Sequence, residues 1–114
     1  MIQIPAIYGE IRLADYAPEF GDLVIRVRVN PPRHLLDELY SARTGEMTAD
    51  TIRRLAEIIA GLWDGWTAEE VQRLAAETAD TDPRLVEWLV VKSLWLIQEH
   101  RAAVKKNWTP LPTR

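Results

Sequence analysis

The sequence predicts an α+β fold that is mostly helical, with an N-terminal β-hairpin-like element followed by four helices, the last of them buried. Apolar and polar residues alternate through residues 23–30, which is the periodicity of a half-buried strand. From residue 33 onward, apolar residues recur every three or four positions, and the prolines fall between these periodic stretches. Residues 85–97 are apolar with few interruptions, so the last helix is expected at the centre of the fold.

All of these elements are expected to belong to one domain. A chain of 114 residues is long enough for one hydrophobic core, and no linker divides it. The predicted domain covers residues 1–108, with the β element at 2–30 and the helices at 31–107. Residues 109–114 hold two prolines at alternate positions, which predicts an extended C-terminal tail.

The predicted β element pairs two strands. The second strand places four apolar residues on one face: Leu23, Ile25, Val27 and Val29. Its predicted partner is Glu10–Leu13, and the long link between them holds Pro18 and Gly21, which predicts a wide loop rather than a tight turn. The N-terminal isoleucines form either a short edge strand or a mobile arm: Ile2, Ile4 and Ile7.

The first helix is predicted to begin where the second strand ends. Asn30 is expected to cap this helix, with Pro31 as its first residue, because the missing N–H of proline is not needed there. The helix then continues to Arg43, and Gly45 favours a stop just beyond it. Its inward residues are predicted from their spacing: Leu35, Leu36, Leu39 and Tyr40.

The second and third helices are predicted from their caps and apolar stripes. The second runs from Ala49 to Trp63, with either Thr48 or Asp50 as its cap. The sequence W-D-G-W then indicates a turn. A short third helix follows, because Thr67 and Glu70 have the spacing of a capping box.

The fourth helix is the longest predicted element, spanning residues 82–107. Asp82 can cap it, and Pro83 suits its first position. The positive charges of Lys105 and Lys106 lie in its last turn, where they meet the negative end of the helix dipole. Its first half is apolar on nearly all sides, which predicts burial on nearly all sides. Two tryptophans are therefore expected in the core: Trp88 and Trp95.

The charge distribution is uneven although the net charge is only −3. Residues 44–82 carry nine acidic and three basic residues, whereas residues 83–114 carry six basic and two acidic ones. Either these charges simply stabilise helix ends, or the C-terminal part offers a basic surface to an acidic partner.

No catalytic, cofactor or metal site is expected, and the chain is not expected to be an enzyme. The absence of cysteine excludes disulfides, thiolate catalysis and cysteine-ligated metals. Carboxylates lie beside both histidines, but on helix faces that are expected to face water: His34 with Asp37 and Glu38, and His100 with Glu99. The N-terminus lacks the pattern of a secretory signal, so cytoplasm is the expected compartment, without membrane association.

A basic strand face is the basis of one functional alternative, a nucleic-acid-associated accessory protein. Its candidate residues are Arg12, Arg26, Arg28 and Arg33. A protein that binds single-stranded nucleic acid also needs aromatic side chains on which the bases stack. None of the nearby aromatic residues alternates with the arginines: Tyr8, Tyr16 and Phe20. The negative net charge further disfavours nucleic acid as a partner.

Protein binding is the other alternative and the one that the sequence favours. Trp63 and Trp66 flank a turn, and tryptophan is enriched where proteins contact each other. Trp108 lies beyond the expected core, where it either folds back or docks on a partner. The candidate partner-binding residues are Trp63, Trp66, Ala102, Val104, Lys105, Lys106 and Trp108.

The stretch from Gly21 to Leu39, G-D-L-V-I-R-V-R-V-N-P-P-R-H-L-L-D-E-L, resembles the opening of small tail assembly chaperones of long-tailed bacteriophages and prophages. In those proteins a charged strand, an Asn-Pro turn and a Leu-rich helix precede an all-helical remainder. The resemblance implies a non-enzymatic protein in the cytoplasm of a bacterial host. It would hold the tape measure protein soluble, bring tail tube subunits to it and be absent from the finished virion. Such a chaperone often self-associates.

Overall fold

The computed structural model describes residues 3–46 and 48–108, and it confirms the mostly helical α+β class. Ile2 and the predicted tail at 109–114 lie outside the described residues. The helices and strands, in chain order, are β1 (Tyr8–Arg12), β2 (Val24–Arg28), α1 (Arg33–Thr44), α2 (Ala49–Leu62), α3 (Ala68–Thr78) and α4 (Arg84–Trp108).

The two strands form an antiparallel sheet. Tyr8 lies opposite Arg28, and Ile11 lies opposite Ile25. The predicted alternation is confirmed for the inward face, where these side chains are buried: Ile11, Ile25 and Val27. Leu23 is an exception, because it precedes β2 and its side chain is 59% exposed. The link between the strands is a wide loop, as predicted, with two short 3-10 helices at Leu13–Asp15 and Pro18–Phe20.

Asn30 has a different role from the predicted helix cap. Its Oδ1 accepts from the Ile7 N–H at 2.8 Å, and its Nδ2 donates to the Pro5 carbonyl at 2.8 Å. Helix α1 begins three residues later, with Pro32 at the cap position and no side-chain cap bond. The cap prediction was wrong because both polar atoms of Asn30 are already bonded to the N-terminal segment, which it holds against the end of β2.

The local signals for α2 and α3 are confirmed. Thr48, rather than Asp50, caps α2 by accepting from the Thr51 N–H at 3.2 Å. At α3 the capping box is complete: Thr67 accepts from the Glu70 N–H, and the Glu70 carboxylate accepts from the Thr67 N–H, both at 3.2 Å. Reciprocal bonding of this kind satisfies backbone donors that the helix itself cannot.

The W-D-G-W turn, which follows α2, is hydrogen-bonded to the sheet. Gly65 adopts a φ of 80°, a left-handed conformation that glycine tolerates without steric cost. Trp63 forms an isolated antiparallel bridge with Val27, and the Asp64 N–H donates to the Arg26 carbonyl at 2.9 Å. The turn therefore extends the pairing of β2 beyond the two-stranded sheet.

Helix α4 is buried along one side. Four of its side chains are almost inaccessible: Leu85, Leu89, Ser93 and Ile97. The sheet approaches it closely at Gly9, where an added Cβ would lie 3.6 Å from a Leu96 methyl group. Among the residues described, no helix is both long and apolar enough to cross a membrane.

The opposite side of α4 is exposed, which corrects the prediction of burial on nearly all sides. Trp95 is 49% exposed and Val91 is 45% exposed. Trp88 is half-buried against the Tyr16 ring, with the ring centroids 5.2 Å apart. The prediction for Trp95 was wrong because the sheet, α2 and α3 together cover only part of the circumference of α4. Tyr40, also predicted to point inward, is 41% exposed.

Candidate functional site

An apolar groove of about 330 Å³ lies between α2, α3 and α4. Its floor consists of buried apolar side chains: Ala56, Ile59 and Val71. Its walls consist of half-buried ones: Leu55, Ala75, Val86 and Val90. The small side chains of the two alanines leave space between the helices, because neither reaches across to the facing helix.

The rim of the groove carries two exposed aliphatic side chains and two polar ones. Ile52 of α2 and Val91 of α4 both line the groove, and their side chains are 49% and 45% exposed. Gln72 and Glu87 are the polar lining residues. A large aliphatic side chain that lines an open groove and remains half exposed is suited to contact an apolar partner.

Trp63 does not belong to any exposed surface. It is 1% exposed, and its Nε1–H donates to the Ser93 hydroxyl at 3.0 Å. The hydroxyl in turn donates to the Leu89 carbonyl at 2.7 Å. A tryptophan that is buried and has a satisfied polar atom is a core residue, so the prediction that Trp63 binds a partner is wrong.

Trp66 is half-buried and packs its ring edge-on against Trp63, with the centroids 5.1 Å apart. Its remaining exposed surface borders a shallow depression beside Glu70 and Arg73 of α3. The two tryptophans therefore do not form one exposed contact surface, because Trp63 is buried. Trp66 remains a candidate contact residue by itself.

The C-terminal half of α4 does not present the predicted residues as one surface. Ala102, Val104, Lys105 and Lys106 are all exposed. Residues two positions apart on a helix point roughly 160° apart, so Ala102 and Val104 lie on opposite faces. Val104 lines a depression beside Ile4 and Pro31 instead. Trp108 is the last residue of α4, and its side chain lies outside the described part of the structure.

The outer face of α4 carries a surface that the sequence analysis missed. Trp88 and Trp95 lie two turns apart on this face, and the Lys92 Nζ lies 5.9 Å and 4.6 Å from their ring centroids. The charged end of Lys92 thus makes a cation–π contact with both rings. The spacing of the two tryptophans indicates that they share one face of the helix. The sequence does not show that this face stays exposed, because the first half of α4 is apolar on nearly all sides.

The basic strand face includes an aromatic residue, contrary to expectation. Tyr8 lies on the same face as Arg26, whose guanidinium carbon is 4.4 Å from the ring centroid. The same guanidinium donates to the Asp64 carboxylate at 2.8 Å, and Glu10 is the cross-strand neighbour of Arg26. Two carboxylates beside this arginine reduce the positive potential that a phosphate backbone would need.

The other three arginines do not extend this face into a continuous basic surface. Arg28 is half-buried, and its Nε is enclosed without a hydrogen-bond partner. Arg33 lies on α1, 3.9 Å from the Asp37 carboxylate. Arg12 is exposed at the far end of β1. The geometry therefore favours nucleic-acid binding less than protein binding.

The carboxylates of α1 and α2 line an open polar depression of about 560 Å³ but are engaged in ion pairs. Arg54 bonds both Glu57, at 3.0 Å, and Glu38. The hydrogen bond to Glu57, together with the charge of Glu38, raises the pKa of Arg54. Within residues 3–46 and 48–108, no group of three or more histidine, aspartate or glutamate side chains is arranged to hold a metal ion.

One titratable pair joins the interstrand loop to the start of α4. The Tyr16 hydroxyl donates to the Asp82 carboxylate, so Asp82 bonds a distant tyrosine. This hydrogen bond, with desolvation of the hydroxyl, raises the pKa of Tyr16 above its ordinary value of 10.0. The pair lies beside Trp88 and fixes the position of the loop on α4.

Comparisons with protein-family models, with curated proteins and with solved structures found no match. The functional interpretation of this chain therefore depends on the geometry of its surfaces.

Proposed function

We propose that this chain is a non-enzymatic protein that binds a hydrophobic helical segment of another protein in the groove between α2, α3 and α4. The single observation that carries the proposal is the groove itself. Its floor and walls are apolar, and Ile52 remains half exposed at its lining. Leaving such side chains in water forgoes burial worth about 25 cal/mol per Å² of apolar surface. A partner that covers them recovers this free energy.

The chemistry of the groove favours an amphipathic helix as its occupant. Such a helix places apolar side chains at positions i, i+3 or i+4, and i+7, which form a stripe that fits an apolar groove. Glu87 and Gln72 supply the polar part of the lining. A polar side chain on the bound helix, placed opposite Gln72, would fix its orientation.

In its sharper form, the proposal is a phage tail assembly chaperone that binds the tape measure and tail tube proteins. Two features support it: the resemblance of residues 21–39, and a groove suited to the helical segments of a long helical partner. Keeping such a partner soluble requires coverage of apolar helical surface and no chemistry, so the absence of a catalytic motif from the sequence agrees with this activity.

Where tape measure and tail tube genes lie beside its gene, co-expression with their products tests the function. The wild-type chain is expected to increase the soluble fraction of the tape measure protein and to co-purify with it. Ile52→Asp is expected to abolish both effects, because it places a charge at the apolar groove.

Val24→Asp is the matched control, since Val24 is 47% exposed against 49% for Ile52 but lies on the sheet. This variant should behave as the wild type does. Equal loss with both variants would contradict the groove as the binding site. A gene without tail genes beside it would contradict the tail chaperone, and helix binding in the groove would then be tested with synthetic amphipathic peptides.

A further inference from the structure

The outer face of α4 carries a stripe of residues with the spacing of a coiled-coil seam. The steps between successive members are three, four, three and four residues, which keeps them on one side of the helix. We call this set the outer stripe: Trp88, Val91, Trp95, Gln98 and Ala102. Trp95 and Val91 are the most exposed large apolar side chains of α4 before its last turns.

No element described in the structure packs over the centre of the outer stripe. The buried residues of α4 lie on the other side of the helix, where α4 contacts the sheet and α3: Leu85, Leu89, Ser93 and Ile97. At its edges the stripe borders the groove, which Val91 also lines, and contacts the Tyr16 ring, beside Trp88, and the Tyr40 hydroxyl, 3.1 Å from Gln98. The face is therefore available to a second molecule.

The charges at the two ends of the outer stripe have opposite sign. Glu87 is exposed beside Trp88, and Lys106 is exposed one turn beyond Ala102. The two residues are 19 positions apart, which is about 28 Å along an α-helix. A partner helix that runs antiparallel and carries the same residues would place a lysine opposite each glutamate.

We infer that the outer stripe is the interface between two copies of this chain, with their α4 helices antiparallel about a two-fold axis. The charge pattern selects this orientation, because a parallel pair would oppose Glu87 to Glu87 and Lys106 to Lys106. Such a two-fold interface is self-complementary, as an interface between identical chains requires. The two ends then form the same glutamate–lysine pair twice.

The side-chain volumes along the outer stripe match this arrangement. With the axis between residues 96 and 97, Val91 of each copy meets the small Ala102 of the other. Trp95 of each copy meets Gln98, whose amide oxygen can accept a bond within the interface while its Nε2 donates to Tyr40. Two bulky tryptophans therefore do not compete for one position, whereas the parallel arrangement would stack Trp95 on Trp95. A polar residue near the centre of a helix pair also disfavours shifted registers.

Sedimentation velocity of the full chain tests the interface. The outer stripe covers only about four helical turns, so the expected dissociation constant of the dimer is on the order of 10 µM. Trp95→Asp is expected to make the chain monomeric at every concentration examined. Val24→Asp, an equally exposed site on the sheet, should leave the association unchanged. A monomeric wild type at about 200 µM, or a dimer that survives Trp95→Asp, would overturn the proposal.

Charge exchange tests the antiparallel orientation separately. Glu87→Lys alone and Lys106→Glu alone each oppose like charges twice, so each should weaken association by roughly tenfold. The double variant re-forms both pairs with reversed sign and should restore wild-type association. Failure of the double variant to recover would exclude this orientation, while circular dichroism confirms that all three variants remain folded.

Discussion

The indole of Trp63 donates its Nε1–H to the hydroxyl of Ser93 at 3.0 Å, and both side chains are at most 2% exposed. This bond joins the end of α2 to the middle of α4 through the core. Because the Ser93 hydroxyl also donates to the Leu89 carbonyl at 2.7 Å, both polar groups are satisfied. Buried polar groups with complete hydrogen bonding tolerate little change on either side.

Removing the acceptor should destabilise the protein more than its small volume implies. Ser93→Ala leaves the Trp63 Nε1–H buried without a partner, so the free energy of unfolding should fall by about 1–3 kcal/mol. Urea denaturation measures this loss. Ser41→Ala, at an exposed serine of α1, is the control and should change stability by less than about 0.5 kcal/mol. Equal effects at the two serines would show that the buried bond contributes nothing.

The two tryptophans Trp63 and Trp95 should differ sharply when truncated. Trp63→Ala removes a buried ring and should cost about 3–5 kcal/mol of unfolding free energy. Trp95→Ala removes a half-exposed ring, so the loss should be below about 1 kcal/mol. Denaturation at low protein concentration keeps self-association out of the comparison. A large loss at Trp95 would indicate that α4 is covered on both sides.

Asn30 should control protection of the N-terminal segment. Asn30→Ala removes both side-chain bonds, so exchange of the Ile7 amide should become faster. Asn30→Asp keeps the oxygen that accepts from Ile7 but loses the donor to Pro5, so the Ile7 amide should stay protected. Hydrogen exchange followed by NMR distinguishes the two variants. Unchanged exchange in the alanine variant would mean that the pairing of Ile7 with Val29 is sufficient.

The bond between Tyr16 and Asp82 should stabilise the fold in a pH-dependent manner. The raised pKa of Tyr16 means that the folded state holds the phenolic proton more tightly than the unfolded state. Its contribution is therefore complete below pH 10.0, the ordinary value, and is lost as pH rises through the higher folded value.

The wild type should consequently melt at a higher temperature than Tyr16→Phe at neutral pH. The difference between the two should stay constant up to about pH 10 and decrease above it. Thermal melts in a series of buffers measure this difference, in which the titration of other groups cancels. A difference that grows with pH above that point would contradict the proposed sign.

Local features of the fold could be predicted from the sequence because nearby residues determine them. The capping box of Thr67 and Glu70 spans a single helical turn, and the alternation in β2 follows from strand geometry. Asn30 was misread because its side chain had a choice of partners. A helix start lies next to it in sequence, but its side chain bonds the N-terminal segment instead.

The binding surfaces could not be predicted, because periodicity does not reveal which apolar residues another element covers. Trp63 sits in a turn yet is buried, whereas Trp95 sits in the most apolar helix yet is half exposed. The groove likewise depends on how far α2 and α4 diverge, which is set by packing over the whole domain. Exposure is thus a property of the assembled helices.

The bridge between Val27 and Trp63 has a consequence for how the domain unfolds. An isolated two-stranded hairpin is marginally stable in water, so the sheet depends on the strand-like partner and the core supplied by the helical region. Trp63 in turn is held by Ser93 of the last helix. Loss of the sheet, of Trp63 or of the last helix therefore removes contacts that stabilise the others. The domain should therefore melt in a single cooperative transition, and its N-terminal thirty residues should not behave as an independent module.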